Sequence, residues 1–411
     1  MAETAAHLID HVFPYVPVRQ WVLSVPRRLR YYLARRGKLR REALGIFIDA
    51  IARWMRRRLG RADGQAGAVT CLQRFGGSLN CNVHLHTLAI DGLYVPSAGG
   101  AGPVFVPVPP PAQDDLWRLV REIHGEVKTL LIRREIIGDE ELVDEDPDPA
   151  EEPAVFDRIQ SASIQGLLAF ATPASHVGRL GRDPRAPSVP FERPEAAVYE
   201  GYSLHAGVRI GADDREGLEK LCRYVLRPPF AQDRFEMLED GRIAYRMKRR
   251  WSDGTTHIVL TPEELLEKLV ALPPSRCALR RTGVPTPREH LVIYHGILAP
   301  NATWRAQVVA GSEKGGTCRK TGRGRCSTSW AEMMKRTLKV DVLACPKCGG
   351  RMRFIALTGQ EQPEVIEKIL LSMGYETEMP ARAPARDPPE CAPDAWDVSG
   401  ERQNPGNEIE W

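Results

Sequence analysis

Residues 82 to 88 read Asn82-Val83-His84-Leu85-His86-Thr87-Leu88. Side chains of an extended segment alternate between faces, so His84 and His86 share one face and Leu85 anchors the other. Two imidazoles about 7 Å apart along one strand can share a metal ion. The preceding apolar segment supplies Gln73, whose amide oxygen is a candidate third ligand. A mixed nitrogen and oxygen shell suits Mg²⁺ or Mn²⁺, with positions left open for phosphate. The plain alternatives are two histidines without a metal and a cross-strand polar neighbour in Gln73.

A second group lies in Cys222-Arg223-Tyr224-Val225-Leu226-Arg227. Leu218, Leu221, Cys222 and Val225 form an apolar helical stripe, and at 100° per residue Tyr224 falls at its edge, where a ring packs and its hydroxyl stays free. That is how a phenol is presented as a nucleophile, with Arg223 and Arg227 beside it to hold a phosphate. An ordinary boundary tyrosine fits the same spacing. A third group, Cys345-Pro346-Lys347-Cys348-Gly349-Gly350, has the spacing of half a zinc site, with Cys318 and Cys326 as candidates to complete four thiolates.

The elements that must position these groups follow from periodicity and punctuation. Trp21 to Val25 reads as a strand stopped by Pro26, and Leu44, Phe47, Ile48, Ile51 and Met55 mark a helix with Arg53, Arg56 and Arg57 on its polar side. Val69–Phe75 and Asn82–Ile90 read as a hairpin around Gly76-Gly77-Ser78. Pro96 to Pro111 reads as a loop, and a helix is predicted from Asp114 to Ile137, with aspartates at its positive end. Tyr202, Leu204, Ala206, Val208 and Ile210 are expected on one face of a strand. Asp213 or Asp214 then caps the tyrosine helix, which stops at Pro228-Pro229. A further hairpin spans Ile243 to Leu260, followed by a helix with a capping box at Thr261-Pro262-Glu263-Glu264. The expected fold class is α+β, a central antiparallel sheet flanked by helices. The expected organisation is a catalytic domain over 1–300 with flexible loops at about 139–160 and 178–196, a linker over 301–329, a small CxxC unit over 330–375 and a disordered tail over 376–411.

The 411 residues are 43% hydrophobic, as in folded proteins, and net charge is only +4. That average hides an asymmetry. From Arg19 to Arg61 there are 14 Lys or Arg against Glu42 and Asp49 alone, whereas Asp139 to Glu152 holds nine acids and no base. The acidic run repels itself into a solvated loop. The basic run suits a polyanion such as DNA, since neutralised phosphates release their counterions, although a solvated helix face fits it equally. No apolar run approaches the roughly 18 residues of a membrane span and no signal peptide opens the chain, so the expected location is the cytoplasm, with no membrane partner. Nine irregularly spaced cysteines suit thiols or metal ligands better than a disulfide framework.

The combination resembles a known family. Gln73-Arg74-Phe75-Gly76-Gly77, Leu79 to His86, Leu204-His205-Ala206-Gly207-Val208, Leu221 to Pro229, Trp251 to His257, Tyr294-His295-Gly296 and Cys345 to Gly350, in this order, look like rolling-circle insertion-sequence transposases. These belong to the HUH single-strand endonucleases, where U is a bulky apolar residue. The resemblance runs from Met1 to about Gly374. It implies a histidine strand in mid-sheet with the tyrosine helix laid against it. His84 and His86 would hold the ion, Tyr224 would attack a phosphorus of single-stranded DNA at an element end, and a 5′-phosphotyrosine would preserve the bond energy without ATP. Arg-rich helices would bind the DNA.

Two departures qualify the resemblance. Where family members with paired tyrosines have the second, one helical turn earlier, this chain has Lys220, so it looks like the single-tyrosine branch. Relatives usually also carry a cysteine-rich zinc module before the segment that opens here at Met1, which suggests a truncated copy or a misplaced start. The rival expectations are a plasmid replication initiator or relaxase, an inactive DNA-binding remnant, and a hydrolase whose histidines activate water.

Overall fold

A computed structural model describes residues 2–97, 102–137, 155–170, 178–180, 196–229, 234–247, 254–272, 292–309, 330–352, 363–372 and 374. The acidic run, the linker with Cys318 and Cys326, Trp251 to Asp253 and the expected tail lie outside the described residues. The chain divides into two units, one built within residues 1–318 and the other within 319–406.

In the first unit, α1 (Ala2–His11) leads to β1 (Val18–Ser24), and the basic stretch then forms two helices, α2 (Arg27–Arg35) and α3 (Gly37–Leu59). The hairpin β2 (Gly67–Phe75) and β3 (Cys81–Ile90) follows, then β4 (Gly92–Pro96), β5 (Pro103–Pro107), α4 (Gln113–Arg133), α5 (Val155–Gln165), β6 (Gly178–Leu180) and β7 (Ala196–Tyr199). Next come β8 (Tyr202–Ile210), α6 (Arg215–Val225), β9 (Phe235–Met237), β10 (Ile243–Arg246), β11 (His257–Leu260), α7 (Pro262–Val270), β12 (Val292–Gly296) and α8 (Arg305–Val308). The second unit contains α9 (Trp330–Leu338) and α10 (Pro363–Ser372).

The fold class is α+β. Six strands in the order β12-β2-β3-β1-β8-β7 form one sheet, and every pairing in it is antiparallel. Two apolar cores cover its faces. Trp21, Leu23, Leu72, Val83 and Leu85 pack against Phe47, Ile51 and Met55 of α3 and Leu116, Leu119 and Ile123 of α4. Val18, Val69, Cys71, Leu88 and Ile90 pack against Leu8 and Ile9 of α1 and Leu218, Leu221, Cys222 and Val225 of α6. Strand parity therefore fixes what each helix touches: odd residues of β3 meet α3 and α4, even residues meet α1 and α6.

Two expectations are corrected. Tyr202, Leu204 and Ala206 lie in the core under α3 and α4, but Val208 and Ile210 lie with the α1 and α6 core. Between the pairs Gln20↔Val208 and Val22↔His205, Trp21 is opposed by both Ala206 and Gly207. This bulge inserts one residue and reverses the alternation. The carbonyl it turns out of the ladder is met by Arg19 Nη1, which donates to Ala206 O at 2.9 Å. The second correction concerns the Pro96–Pro111 segment, which contains β5 paired antiparallel with β4. Prolines stand at the ends of this two-stranded ribbon, where few ladder donors are needed.

The predicted caps hold. Asp214 accepts from Gly217 N at 2.8 Å at the start of α6. Thr261 and Glu264 exchange both bonds of a capping box at α7. The hairpin of β10 and β11 joins a separate four-stranded sheet, β6-β11-β10-β9. Leu79, at the tip of the β2–β3 hairpin, is fully buried among Tyr245, Met247, Ile258 and Leu260 of that small sheet. The histidine hairpin is thus held at its tip as well as along its length.

Candidate functional site

β3 is a central strand, paired with β2 on one side and β1 on the other. His84 and His86 point from it toward α6, with ring centroids 4.9 Å apart. His84 Nδ1 lies 2.9 Å from the Asn82 carbonyl. A carbonyl only accepts, so Nδ1 carries the proton and the Nε2 lone pair is left for a metal. Burial, with the charges of Arg30 and Arg227 adding to it, pushes the His84 pKa down to about 4. The ring stays neutral at ordinary pH, as a ligand must. Gln20 Nε2 lies 2.8 Å from His86 Nδ1 and donates to it, which puts the His86 proton on Nε2; the same amide turned over would accept from Nδ1–H and leave Nε2 for a metal. Gln20 is one residue from the bulge on β1, two positions from Val22, the register partner of His86.

Gln73 is the register partner of His84 across the β2–β3 pair, and the next turn of the ladder carries a bulge before Phe75↔Cys81. Its Nε2 donates to Val225 O at 2.8 Å, tying the histidine hairpin to the last turn of α6. Its Oε1 is buried without a hydrogen-bond partner. A buried acceptor left over beside two imidazoles is what a third metal ligand requires, and the residues present therefore fit a divalent ion. No cluster of three or more His, Cys, Asp or Glu side chains is found among the described residues, so such an ion would rest on the two histidines and this amide.

α6 brings the tyrosine to the same place. Its apolar stripe is buried against the sheet, which leaves Tyr224 half-buried at the border. The Tyr224 ring stands edge-on to His86, centroids 6.1 Å apart and planes at 89°. Arg227, just beyond the helix, places its guanidinium 4.6 Å from the Tyr224 ring centroid and 5.9 Å from that of Phe75. Arg227 Nε is buried without a hydrogen-bond partner. Arg223 is half-buried in the last turn of α6. Lys220, one turn before Tyr224, pairs with Glu216 at 3.2 Å in solvent.

His84, His86, Gln73, Tyr224 and Arg227 thus converge, although 151 positions separate Gln73 from Tyr224. Arg53, Arg56 and Arg57 do not join them. They lie on α3, across the sheet, where Glu122 of α4 accepts from Arg53 at 2.9 Å and from Arg57 at 3.0 Å. Arg53 also pairs with Glu126, and Arg56 donates to Gly64 O at 2.9 Å. Gln20 was not singled out in the sequence. Its only trace in the sequence is polarity: on the strand Val18–Ser24 it stands on the opposite face from Trp21, between the apolar Val18 and Val22, and nothing there says which strand it will face.

In the second unit, Cys345 N donates to Gly350 O and Gly349 N to Cys345 O, 2.8 and 2.9 Å, closing a tight knuckle. Gly349 takes φ +71°, the left-handed conformation the knuckle needs. Backbone N–H groups of Cys348 and Lys347 and the Cys348 thiol bond the Cys345 sulfur, holding its pKa below the usual thiol value. Among the described residues this knuckle contributes two thiols.

Comparison with known families places this geometry in context. No curated protein and no solved structure matches the chain. A family model described as "Putative transposase" (Y2_Tnp) matches residues 67–307, more than half of the chain and all of β2, β3 and α6. On that match the chain belongs to this transposase family, whose members act on DNA.

Proposed function

We propose that the chain is a single-tyrosine transposase of the HUH class, nicking and rejoining single-stranded DNA at the ends of a mobile element. The observation that carries this is the perpendicular contact of Tyr224 with His86, beside His84, whose Nε2 lone pair is left over, and Gln73, whose buried amide oxygen suits a metal. Tyr224 Oη attacks the scissile phosphorus as its proton leaves. The bond to the 3′-oxygen breaks, that oxygen takes up a proton, and the 5′-phosphate remains on Tyr224. A second 3′-hydroxyl attacking the phosphotyrosine reverses the step on a new strand and restores the phenol. The exchange conserves phosphodiester bonds, so no ATP is consumed.

The chain's own contribution is placement and charge. The rigid strand pair fixes His84, His86 and Gln73, and the Gln73–Val225 bond fixes the end of α6 to them. Arg227, and Arg223 beside it, supply positive charge for the phosphate at the point where the phenol meets it. A Mg²⁺ or Mn²⁺ ion held by His84, His86 and Gln73 would polarise the scissile phosphate.

The test uses purified full chain, Mn²⁺ and labelled single-stranded oligonucleotides carrying element-end sequence. The expected result is a protein–DNA adduct stable in denaturing gels, abolished in Tyr224→Phe and reduced by about a hundredfold or more in His86→Ala. Cleavage without an adduct, surviving Tyr224→Phe, would overturn the proposal and favour histidine-activated water.

A further inference from the structure

The segment Leu204-His205-Ala206-Gly207-Val208 carries a histidine that the strand-transfer step above leaves unused. Parity says which way it points. Tyr202 and Leu204 face α3 and α4, the Tyr202 ring centroid standing 5.3 Å from that of His124 on α4. Ser203 and His205 therefore face the other way, on the side of the sheet that carries His84 and His86. The register agrees. Val22 of β1 is the partner of His86 on one side and of His205 on the other, and Ser24 is the partner of His84 and of Ser203. His86 and His205 thus rise from one face two strand spacings apart, about 10 Å between Cα atoms, with Val22 between them.

This placement depends on the bulge in β8. Val208 and Ile210 pack with α1 and α6 on that same face. Without the extra residue at Ala206 and Gly207, a strand that shows them there would turn His205 into the core under α3 and α4. The bulge is held by a buried ion pair. Arg19 Nη1 donates to Ala206 O at 2.9 Å, and Arg19 Nε donates to Asp91 at 2.8 Å, both residues being buried. Arg209 Nε reaches the same carboxylate at 2.8 Å. A buried ion pair adds little stability over apolar packing, and what this one does is fix the bulge. Bulges of this kind re-aim side chains beside active sites.

His205 also stands on the side of the histidine strand away from the tyrosine. The last turn of α6 is tied to β2 by the bond from Gln73 to Val225 O, and Arg227 lies by Phe75 of β2, whereas β8 is the second strand from β3 in the other direction. A phosphate seated at His84 and His86 would have Tyr224 on its β2 side and His205 on its β8 side. In a displacement at phosphorus the attacking and leaving oxygens lie roughly in line, on opposite sides. The described apolar cores stop short of the β8 corner: Val22, and Val198 at 44% exposed on the edge strand β7, belong to neither. His205 itself is half-buried.

We propose that His205 is the general acid of the strand-transfer step, protonating the 3′-oxygen that leaves. This rests on the strand-transfer reading above. As the bond between phosphorus and the 3′-oxygen breaks, the His205 imidazolium gives its proton to that oxygen, and the proton of Tyr224 passes to water. In the second step the neutral ring takes the proton of the 3′-hydroxyl that attacks the phosphotyrosine, and the released phenolate is reprotonated from water. An imidazole suits both directions, since both of its forms are populated near neutral pH.

The experiment follows adduct formation by the full chain with Mn²⁺ on two single-stranded oligonucleotides of element-end sequence. They are identical except at the scissile linkage, where one has the 3′-oxygen and the other a 3′-sulfur. A thiolate leaves without a proton, so the sulfur substrate needs no acid. On the oxygen substrate His205→Gln is expected to slow the adduct by about a hundredfold or more. On the sulfur substrate it should react at close to the rate of the unsubstituted chain, while Tyr224→Phe forms no adduct with either. His205→Asn should show the same selective rescue, which keeps the comparison should the glutamine variant misfold. With the unsubstituted chain active, slowing on both substrates alike, or on neither, overturns the role of His205 and leaves the tyrosine chemistry standing. No adduct from the unsubstituted chain on either substrate overturns the strand-transfer reading, and this role with it.

Discussion

At the scale of the residue, the site is defined as much by what holds the histidines as by the histidines. His84 has its tautomer set by a carbonyl, and His86 has its Nδ1 held by Gln20. Such outer partners orient a ligand, and their loss commonly costs 10–100-fold in metal affinity. Gln20→Leu keeps the bulk of the side chain and removes its amide. It should raise the Mn²⁺ concentration needed for half-maximal adduct formation by roughly that factor, with the adduct yield at saturating metal much less affected. An unchanged metal requirement would reduce Gln20 to a packing residue. His84, His86, Tyr224 and Arg227 could be named from the sequence because type and spacing raised them as candidates and the family resemblance chose between them and the plain alternatives. Gln20 could not, because its role depends on which strand becomes the neighbour of β3, and β1 lies more than sixty residues upstream. Arg53, Arg56 and Arg57 show the converse: a polar helix face looks free until the carboxylates of α4 are seen against it.

At the scale of the element, alternation identified β2, β3 and most of β8, and capping signals placed α6 and α7 to within a residue or two. It failed where a single extra residue reversed it, at Ala206 and Gly207, since a bulge is a property of a strand pair and leaves no periodic trace in one strand. β12 was also illegible as an element, although Tyr294 and His295 had been noted, because five residues at a sheet edge carry too short a pattern. Its attachment has a pH signature. His295 accepts or donates at Nε2 to Thr70 Oγ1, 3.1 Å away, and burial pushes its pKa down to about 4 from the usual 6.5. Between those values the unfolded chain binds a proton that the folded chain refuses, so stability is full above about pH 6.5 and falls as pH drops toward 4. His84 titrates in the same window and the same direction. His295→Gln should therefore flatten, without abolishing, the fall in urea midpoint between pH 7 and pH 5. Parallel curves for the two proteins would show that the edge strand contributes nothing to the acid response.

At the scale of the whole molecule, the two units obey different physics. The first is stabilised by two cores on one sheet, so its histidine pair is built by packing and stands whether or not a metal is bound. The described part of the second offers two short helices and the cysteine knuckle, with Leu338, Val340, Met352, Ile369 and Leu371 exposed. In a unit this small a metal would be a source of stability, in the manner of small zinc modules. The knuckle is prepared for one: N–H groups aimed at the Cys345 sulfur favour the thiolate, the form that binds Zn²⁺. The full chain purified without chelator should carry about one zinc atom, and Cys345→Ser/Cys348→Ser should lose it. Because the sheet's cores owe nothing to that metal, the double variant should unfold in urea with its main transition unmoved and should keep the Tyr224 adduct on short oligonucleotides. A main transition shifted by the loss of zinc would show instead that the knuckle supports the sheet, and zinc retained by the double variant would move the metal away from these two thiols.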